Sequence, residues 1–198
     1  AFTNGAALMP HTFKARPTTD FAKENLFNVL NNYIDFEGTT VLDLFAGTGS
    51  ISIELVSRGC ERVISVEKDP QHHAFICKVM NEVKTDKCLP LRGDVFKHRE
   101  INEQFDFIFA DPPYALKELI TIPDKIFEYN LLKEDGIFVL EHGKDQNFEN
   151  HPHFIEHRHY GSEIFILPLI NKEYTNSLII ILKDGTDKAV LCESHEKL

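Results

Sequence analysis

Four cysteines are scattered through 198 residues, at Cys60, Cys77, Cys88 and Cys192, and no two stand in a Cys-x-x-Cys pair. That spacing speaks against a zinc ribbon and offers no disulfide framework, so a reducing compartment is expected. Long apolar runs are missing as well. The longest aliphatic stretch is about Leu178 to Leu182, far short of the ~18 residues that span a bilayer. Ala1 to Pro10 has no basic segment ahead of an apolar core, so no secretory signal is read there. Positive charge is scarce: 21 Lys and Arg stand against 31 Asp and Glu, a formal net charge of −10. Strong non-specific nucleic-acid binding, which shows as a basic footprint, is disfavoured. There is no internal repeat and no low-complexity linker. What remains is ordinary globular material, 42% hydrophobic and 26% charged, of about one domain's length. The expectation is a soluble cytoplasmic chain without membrane contact.

Short apolar runs alternate with helical patterns. Val41 to Leu44, Val63 to Val66 and Phe105 to Ala110 read as buried strands, and Ile137 to Leu140 as another after an Asp135-Gly136 turn. Leu89-Pro90-Leu91 reads as a weak strand at an edge, because proline cannot complete a ladder. Between them, Ile51 to Arg58 predicts a helix stopped at Gly59, and Pro70 opens one that runs to about Lys84. Leu116 to Tyr129 is helical with an interruption at Pro123, and Thr18 to Tyr33 is an amphipathic helix. Such alternation predicts a parallel sheet with helices on both faces. The end of the chain reads differently: Phe154 to Tyr160 and Ile164 to Leu169 suggest an antiparallel pair. Leu178 to Leu182 with Ala189 to Cys192 suggests another.

Three features carry chemistry. The first is Val41-Leu42-Asp43-Leu44-Phe45-Ala46-Gly47-Thr48-Gly49-Ser50, a strand, a glycine-rich turn and a helix start. Ser52 stands where a dinucleotide fingerprint needs its third glycine. Asp43 would repel a pyrophosphate but tolerate a cofactor carrying an ammonium or sulfonium group. The second is a row of acids at successive strand ends: Asp43, Glu67, Asp94, Asp111 and Glu141. Open α/β sheets bind ligands outside those ends. Glu67, 18 residues past Gly49, is spaced to accept from ribose hydroxyls, and Asp94 is placed to accept from an adenine amino group. The third is Asp111-Pro112-Pro113-Tyr114. Two prolines stiffen the backbone so that the Asp111 carboxylate and the Pro112 carbonyl can face one exocyclic amine. Tyr114 offers a ring to stack on the base that carries it. Two acceptors on an aryl amine pull its nitrogen toward tetrahedral geometry and free its lone pair. His142, His151, His153, His157 and His159 crowd one region. Alternate residues of a strand merely share a face and no cysteine or carboxylate set completes a site, so no metal is expected.

Val41 to Ser50 together with Asp111 to Tyr114 resembles the class I S-adenosylmethionine-dependent methyltransferases that act on amino nitrogens. With Arg16-Pro17-Thr18-Thr19-Asp20, Glu24, Leu26 to Asn28 and Leu30 ahead of them, the pattern resembles the RsmD-type 16S rRNA guanine-N2 methyltransferases. The resemblance covers about Lys14 to Leu169. It implies a Rossmann-like α/β fold, a mostly parallel seven-stranded sheet with helices on both faces and an antiparallel last strand. It implies S-adenosylmethionine held by Asp43, Phe45, Ala46, Gly47, Gly49, Glu67, Lys68, Asp94 and Val95. It places the target amine at Asp111 to Tyr114, with Arg16, Thr18 and Thr19 bordering donor and base. The implied partner is 16S rRNA, within a partly assembled small subunit, and the chain is expected to act as a monomer.

Two departures stand out. Similar proteins carry a basic hairpin ahead of the Arg-Pro-Thr segment, whereas residues 1–13 hold no Lys or Arg and read as a remnant or a truncated extension. The methyltransferase domain is then 14–170, and 171–198 is an extension without an assigned role. Adenine-N6 or glutamine-N5 methylation stays open, since Asp/Asn-Pro-Pro-Tyr serves both. A nicotinamide oxidoreductase is a further alternative, disfavoured by the absent third glycine.

Overall fold

A computed structural model describes residues 20–95, 101, 103–113, 115–143, 146–153, 155–160, 163–171 and 174–182, with side chains for those from 23 to 153. Helix α1 (Asp20–Leu30) leads into β1 (Thr40–Leu44), α2 (Ser50–Ser57), β2 (Arg62–Glu67), α3 (Pro70–Glu82) and β3 (Cys88–Arg92). Then come β4 (Phe105–Ala110), a 3-10 turn (Lys117–Thr121), α4 (Ile122–Glu128) and β5 (Leu132–His142). The chain continues with β6 (Ile155–Tyr160), β7 (Glu163–Asn171) and β8 (Tyr174–Leu182).

One sheet takes all eight strands in the order β3-β2-β1-β4-β5-β7-β6-β8. The first five are parallel, and β7 runs antiparallel to both β5 and β6. The expected seven strands and reversed β7 are present. An eighth, β8, pairs parallel with β6, so the Leu178–Leu182 run joins the main sheet. Its expected partner, Ala189 to Cys192, lies outside the described residues, as do Thr18 and Thr19 ahead of α1.

The period-2 alternation of the strands builds two cores. Val41, Val63, Phe107, Phe109, Ile137 and Val139 face Leu26, Phe27 and Leu30 of α1, Ile51 and Leu55 of α2, and Ile76 and Met80 of α3. Leu42, Leu44, Ile64, Val66, Ile108, Ala110, Phe138 and Leu140 face Leu119 of the 3-10 turn, Ile122 and Ile126 of α4, and Phe148. Each large side chain so buried contributes about 1.5–3 kcal/mol, which fixes the strand register on which the site depends. Asp69 caps α3, accepting from the N–H groups of Gln71 at 2.8 Å and His72 at 3.0 Å, ahead of Pro70 in the first turn. Pro90 lies in β3 at the sheet edge, and Pro123 opens α4.

One expectation fails at β5. Asp135-Gly136 is not a turn but part of an 11-residue strand. The ladder passes from Phe105↔Leu132 to Phe107↔Ile137, so β5 bulges there. A Cβ on Gly136 would lie 2.8 Å from Leu132 Cγ and 2.9 Å from the Phe105 carbonyl oxygen. Glycine is required for this close approach, not for reversal of the chain.

Candidate active site

The parallel strands end together, and their connections gather the acids at one edge. Between β1 and α2 the chain bends sharply, with Phe45 at φ 60°, Gly47 at 56° and Gly49 at 76°. A phenylalanine held in that left-handed region costs about 1–2 kcal/mol, strain of the kind found at ligand-binding turns. The turn is pinned to β2. Ala46 N–H donates to the Val66 carbonyl at 3.0 Å, and Gly47 N–H to Glu67 Oε2 at 2.7 Å. The other carboxylate oxygen of Glu67 accepts from Asp69 N–H at 2.7 Å. The buried Glu67 thus fixes both loops beside it and keeps a further lone pair on each oxygen.

The two glycines of the turn serve different ends. Among the described residues a Cβ on Gly47 would meet nothing within 4 Å, so a ligand can approach the backbone there. A Cβ on Gly49 would sit 2.9 Å from Cγ1 of the buried Ile76. Gly49→Ala is therefore expected to cost roughly 2–4 kcal/mol of stability, combining left-handed strain with overpacking, read by urea unfolding. Gly47→Ala should show only the backbone cost, about 1–2 kcal/mol.

Asp43 is 1% exposed. Ser52 of α2 donates a short hydrogen bond to its Oδ2, and Ser65 Oγ lies 2.8 Å from Ser52 Oγ. Since the Ser52 proton is directed at Asp43, Ser65 donates to Ser52. This buried chain explains why serine replaces the third glycine of a dinucleotide fingerprint. Sequence reasoning missed Ser52 and Ser65 as partners of Asp43. The available signal was a serine on the first turn of α2 and a lone hydroxyl within the apolar Val63 to Val66 run.

Burial pushes the Asp43 carboxyl from 3.8 up to about 7; the Ser52 hydrogen bond opposes the shift, and the charges of Asp111 and Glu67 add to it. A carboxyl raised on folding stabilises the protein fully below its unfolded pKa, and that stability is lost as pH rises through the folded value. The protein without ligand is thus expected to lose stability between about pH 4 and pH 7, at ~1.4 kcal/mol per unit of separation. Asp43→Asn should flatten this dependence in thermal melts across that range. An unchanged slope would place the titration elsewhere.

On β4, the Ala110↔Leu140 and Leu44↔Ala110 pairs bring the end of the strand between β1 and β5. Asp111 N–H points to the Leu44 carbonyl at 3.5 Å, Pro112 is buried, and Pro113 O accepts from Leu116 N–H at 2.8 Å. Asp94 and Lys68 form an exposed pair at 3.4 Å beside Glu67. Val95 packs against the α4-side core and Phe45 joins it from the turn. Asp43, Phe45, Ala46, Gly47, Gly49, Glu67, Lys68, Asp94, Val95 and Asp111 to Pro113 thus lie along one edge. Tyr114, Arg16, Thr18 and Thr19 fall outside the described residues.

The histidines do other work. His142 is buried, its pKa driven down to about 4 by desolvation, and Nδ1–H donates to the Gly143 carbonyl at 2.8 Å. Its ring meets Phe148 edge-on at 4.9 Å. His153 stacks on Phe127 at 3.8 Å, and His151 Nε2 is 3.3 Å from Asp124. Among the described residues no group of three His, Cys, Asp or Glu is arranged to hold a metal, and no helix is long and apolar enough to cross a membrane.

The family model described as "Conserved hypothetical protein 95" matches residues 5–167. The Bacillus subtilis (strain 168) protein "Putative rRNA methyltransferase YlbH" is 38% identical over 142 residues, 66% of this chain and 72% of that protein. "Ribosomal RNA small subunit methyltransferase D" of Haemophilus influenzae is 30% identical over 139 residues, 66% of this chain and 69% of that protein. Among solved structures, "Putative methyltransferase yhhF from Escherichia coli" superposes with a TM-score of 0.69, covering 79% of this chain and 88% of that one. At 20% identity it shows the fold.

Proposed function

The chain belongs to the Conserved hypothetical protein 95 family and is a methyltransferase of the class I fold, and on that premise we propose that it methylates the exocyclic N2 of a guanine in 16S rRNA, with S-adenosylmethionine as donor. One observation carries the reading: Asp111-Pro112-Pro113 leaves the end of β4 beside a glycine turn that is open at Gly47 and flanked by buried carboxyls. The names of the relatives support an RNA substrate on the small subunit.

The residues present suit the donor. Open space over Gly47 admits a ligand to the backbone, and the remaining lone pairs of Glu67 suit ribose hydroxyls. Asp43 suits an ammonium or sulfonium charge, with Phe45, Ala46, Gly49, Lys68, Asp94 and Val95 lining the remainder. When bound, the donor supplies an electrophilic methyl on sulfur and departs as the thioether. Asp111 and the Pro112 carbonyl accept from the two amine N–H groups and aim the nitrogen lone pair, and Tyr114 stacks on the base. Asp111 or water takes the amine proton once the methylated nitrogen is cationic. The acceleration comes mainly from positioning. The base must leave its stack to reach a site at strand ends.

The chain's net charge of −10 limits attraction to phosphates, which grows with the number neutralised. We therefore expect recognition of a base already displayed in a partly assembled small subunit. Turnover should be much faster on such particles than on protein-free 16S RNA at matched salt. Equal rates would overturn the particle preference.

A further inference from the structure

Ser52 and Ser65 have no part in the mechanism above. Asp43 pairs in register with Ser65 on β2 and with Phe109 on β4. By alternation Glu67, two residues past Ser65, shares the face of Asp43, and Asp111 follows by the same count just past β4. Helix α2 sets Ser52 over that face. Asp43 is 1% exposed, and both serines are buried completely. Hydroxyls are costly to bury, and alanine at either place would extend the apolar packing without that cost. Both serve the carboxyl instead. Ser65 donates to Ser52, and Ser52 gives Asp43 its hydroxyl and its backbone N–H.

The other groups around Asp43 oppose its charge. Asp111 past β4 and Glu67 on β2 face it with like charge. From β3 comes the Cys88 thiol, which burial and the charges of Asp43 and Cys77 push up to about 12, so it stays neutral. With its carboxyl at about 7, Asp43 is balanced between its two forms near neutral pH, where one hydrogen bond decides. We propose that Ser52 is a positioning residue for the donor: its hydroxyl, held by Ser65, keeps the buried Asp43 carboxyl charged, so that the end of β1 offers a negative charge to a cationic donor. Asp43 acts through its field rather than by touch, since a buried charge is little screened. The inference rests on the donor reading above and adds the residue that tunes it.

The test is calorimetric titration of the full chain with S-adenosylmethionine at steps from about pH 6 to about pH 9. Binding that needs Asp43 charged strengthens as pH rises through its folded value. Comparing proteins at each pH cancels the ligand's own titration. Ser52→Ala keeps the backbone N–H and loses only the hydroxyl, which favours the charged form. It should bind about tenfold more weakly near pH 6 and come within about twofold of wild type near pH 9. Ser65→Ala should shift the profile the same way by less. Asp43→Asn should fall further behind wild type as pH rises. An equal loss at every pH in Ser52→Ala would show that the serine only packs, and would overturn the proposal, as would unchanged affinity. If Ser52→Ala fails to fold, Ser65→Ala decides, because a profile identical to wild type would overturn the proposal. No binding of S-adenosylmethionine by wild-type protein at any pH would sink the donor reading itself, an outcome separate from these.

Discussion

Asp111→Ala is expected to lower kcat by about 10²–10³-fold, the usual loss when one preorganised group at the reacting centre is removed. Affinity for S-adenosylhomocysteine should change by no more than a few-fold. The separation follows from placement. Asp111 lies past the end of β4, whereas the groups proposed to hold the donor lie on the β1, β2 and β3 ends. A small gain in donor affinity near neutral pH is even expected, because Asp111 is one of the charges that hold the Asp43 carboxyl up. Asp111→Asn should be milder, since an amide oxygen still accepts from the amine. Calorimetry with the product, alongside single-turnover methylation, separates the two effects. Loss of product binding in Asp111→Ala would show that the residue serves the donor.

Glu67→Ala carries the second large effect. The carboxylate accepts from Gly47 and Asp69 N–H groups, each at 2.7 Å, before any ligand arrives. Hydrogen bonds to charged groups contribute about 1.5–3 kcal/mol each. The variant should therefore lose product affinity by about 2–4 kcal/mol and also melt earlier, because the glycine turn loses its tie to β2. Glu67→Gln will not be spared. Its side chain has one acceptor oxygen for two backbone donors, and its NH₂ must face one of them. Product binding equal to wild type in Glu67→Ala would remove β2 from the donor site.

That second prediction shows where sequence stops. A carboxylate at the end of β2 was legible as a ribose acceptor. Its two backbone partners were not legible, because they depend on the left-handed turn folding back over β2. The β4 strand was readable to the residue, since Phe105 and Phe107 to Ala110 are apolar and buried, interrupted only by the half-buried Asp106. β5 was misjudged because Asp-Gly is a strong turn signal, and only the approach of Phe105 O shows why glycine is needed inside a strand. Ser52 and Ser65 each stood out singly, one on the first turn of a helix and one inside an apolar strand, but their meeting at Asp43 depends on how α2 packs over β1 and β2. β8 read as a strand from its aliphatic run, but which strand it pairs with is a matter of topology that the run does not encode.

The central claim is tested most directly by the identity of the methylated atom. Purified protein, labelled S-adenosylmethionine and partly assembled small subunits lacking the modification are incubated. The RNA is then digested to nucleosides and analysed by mass spectrometry. The account predicts label in N2-methylguanosine at a single position of 16S rRNA, absent with Asp111→Ala. Label in N6-methyladenosine, or in protein with none in the RNA, would contradict it.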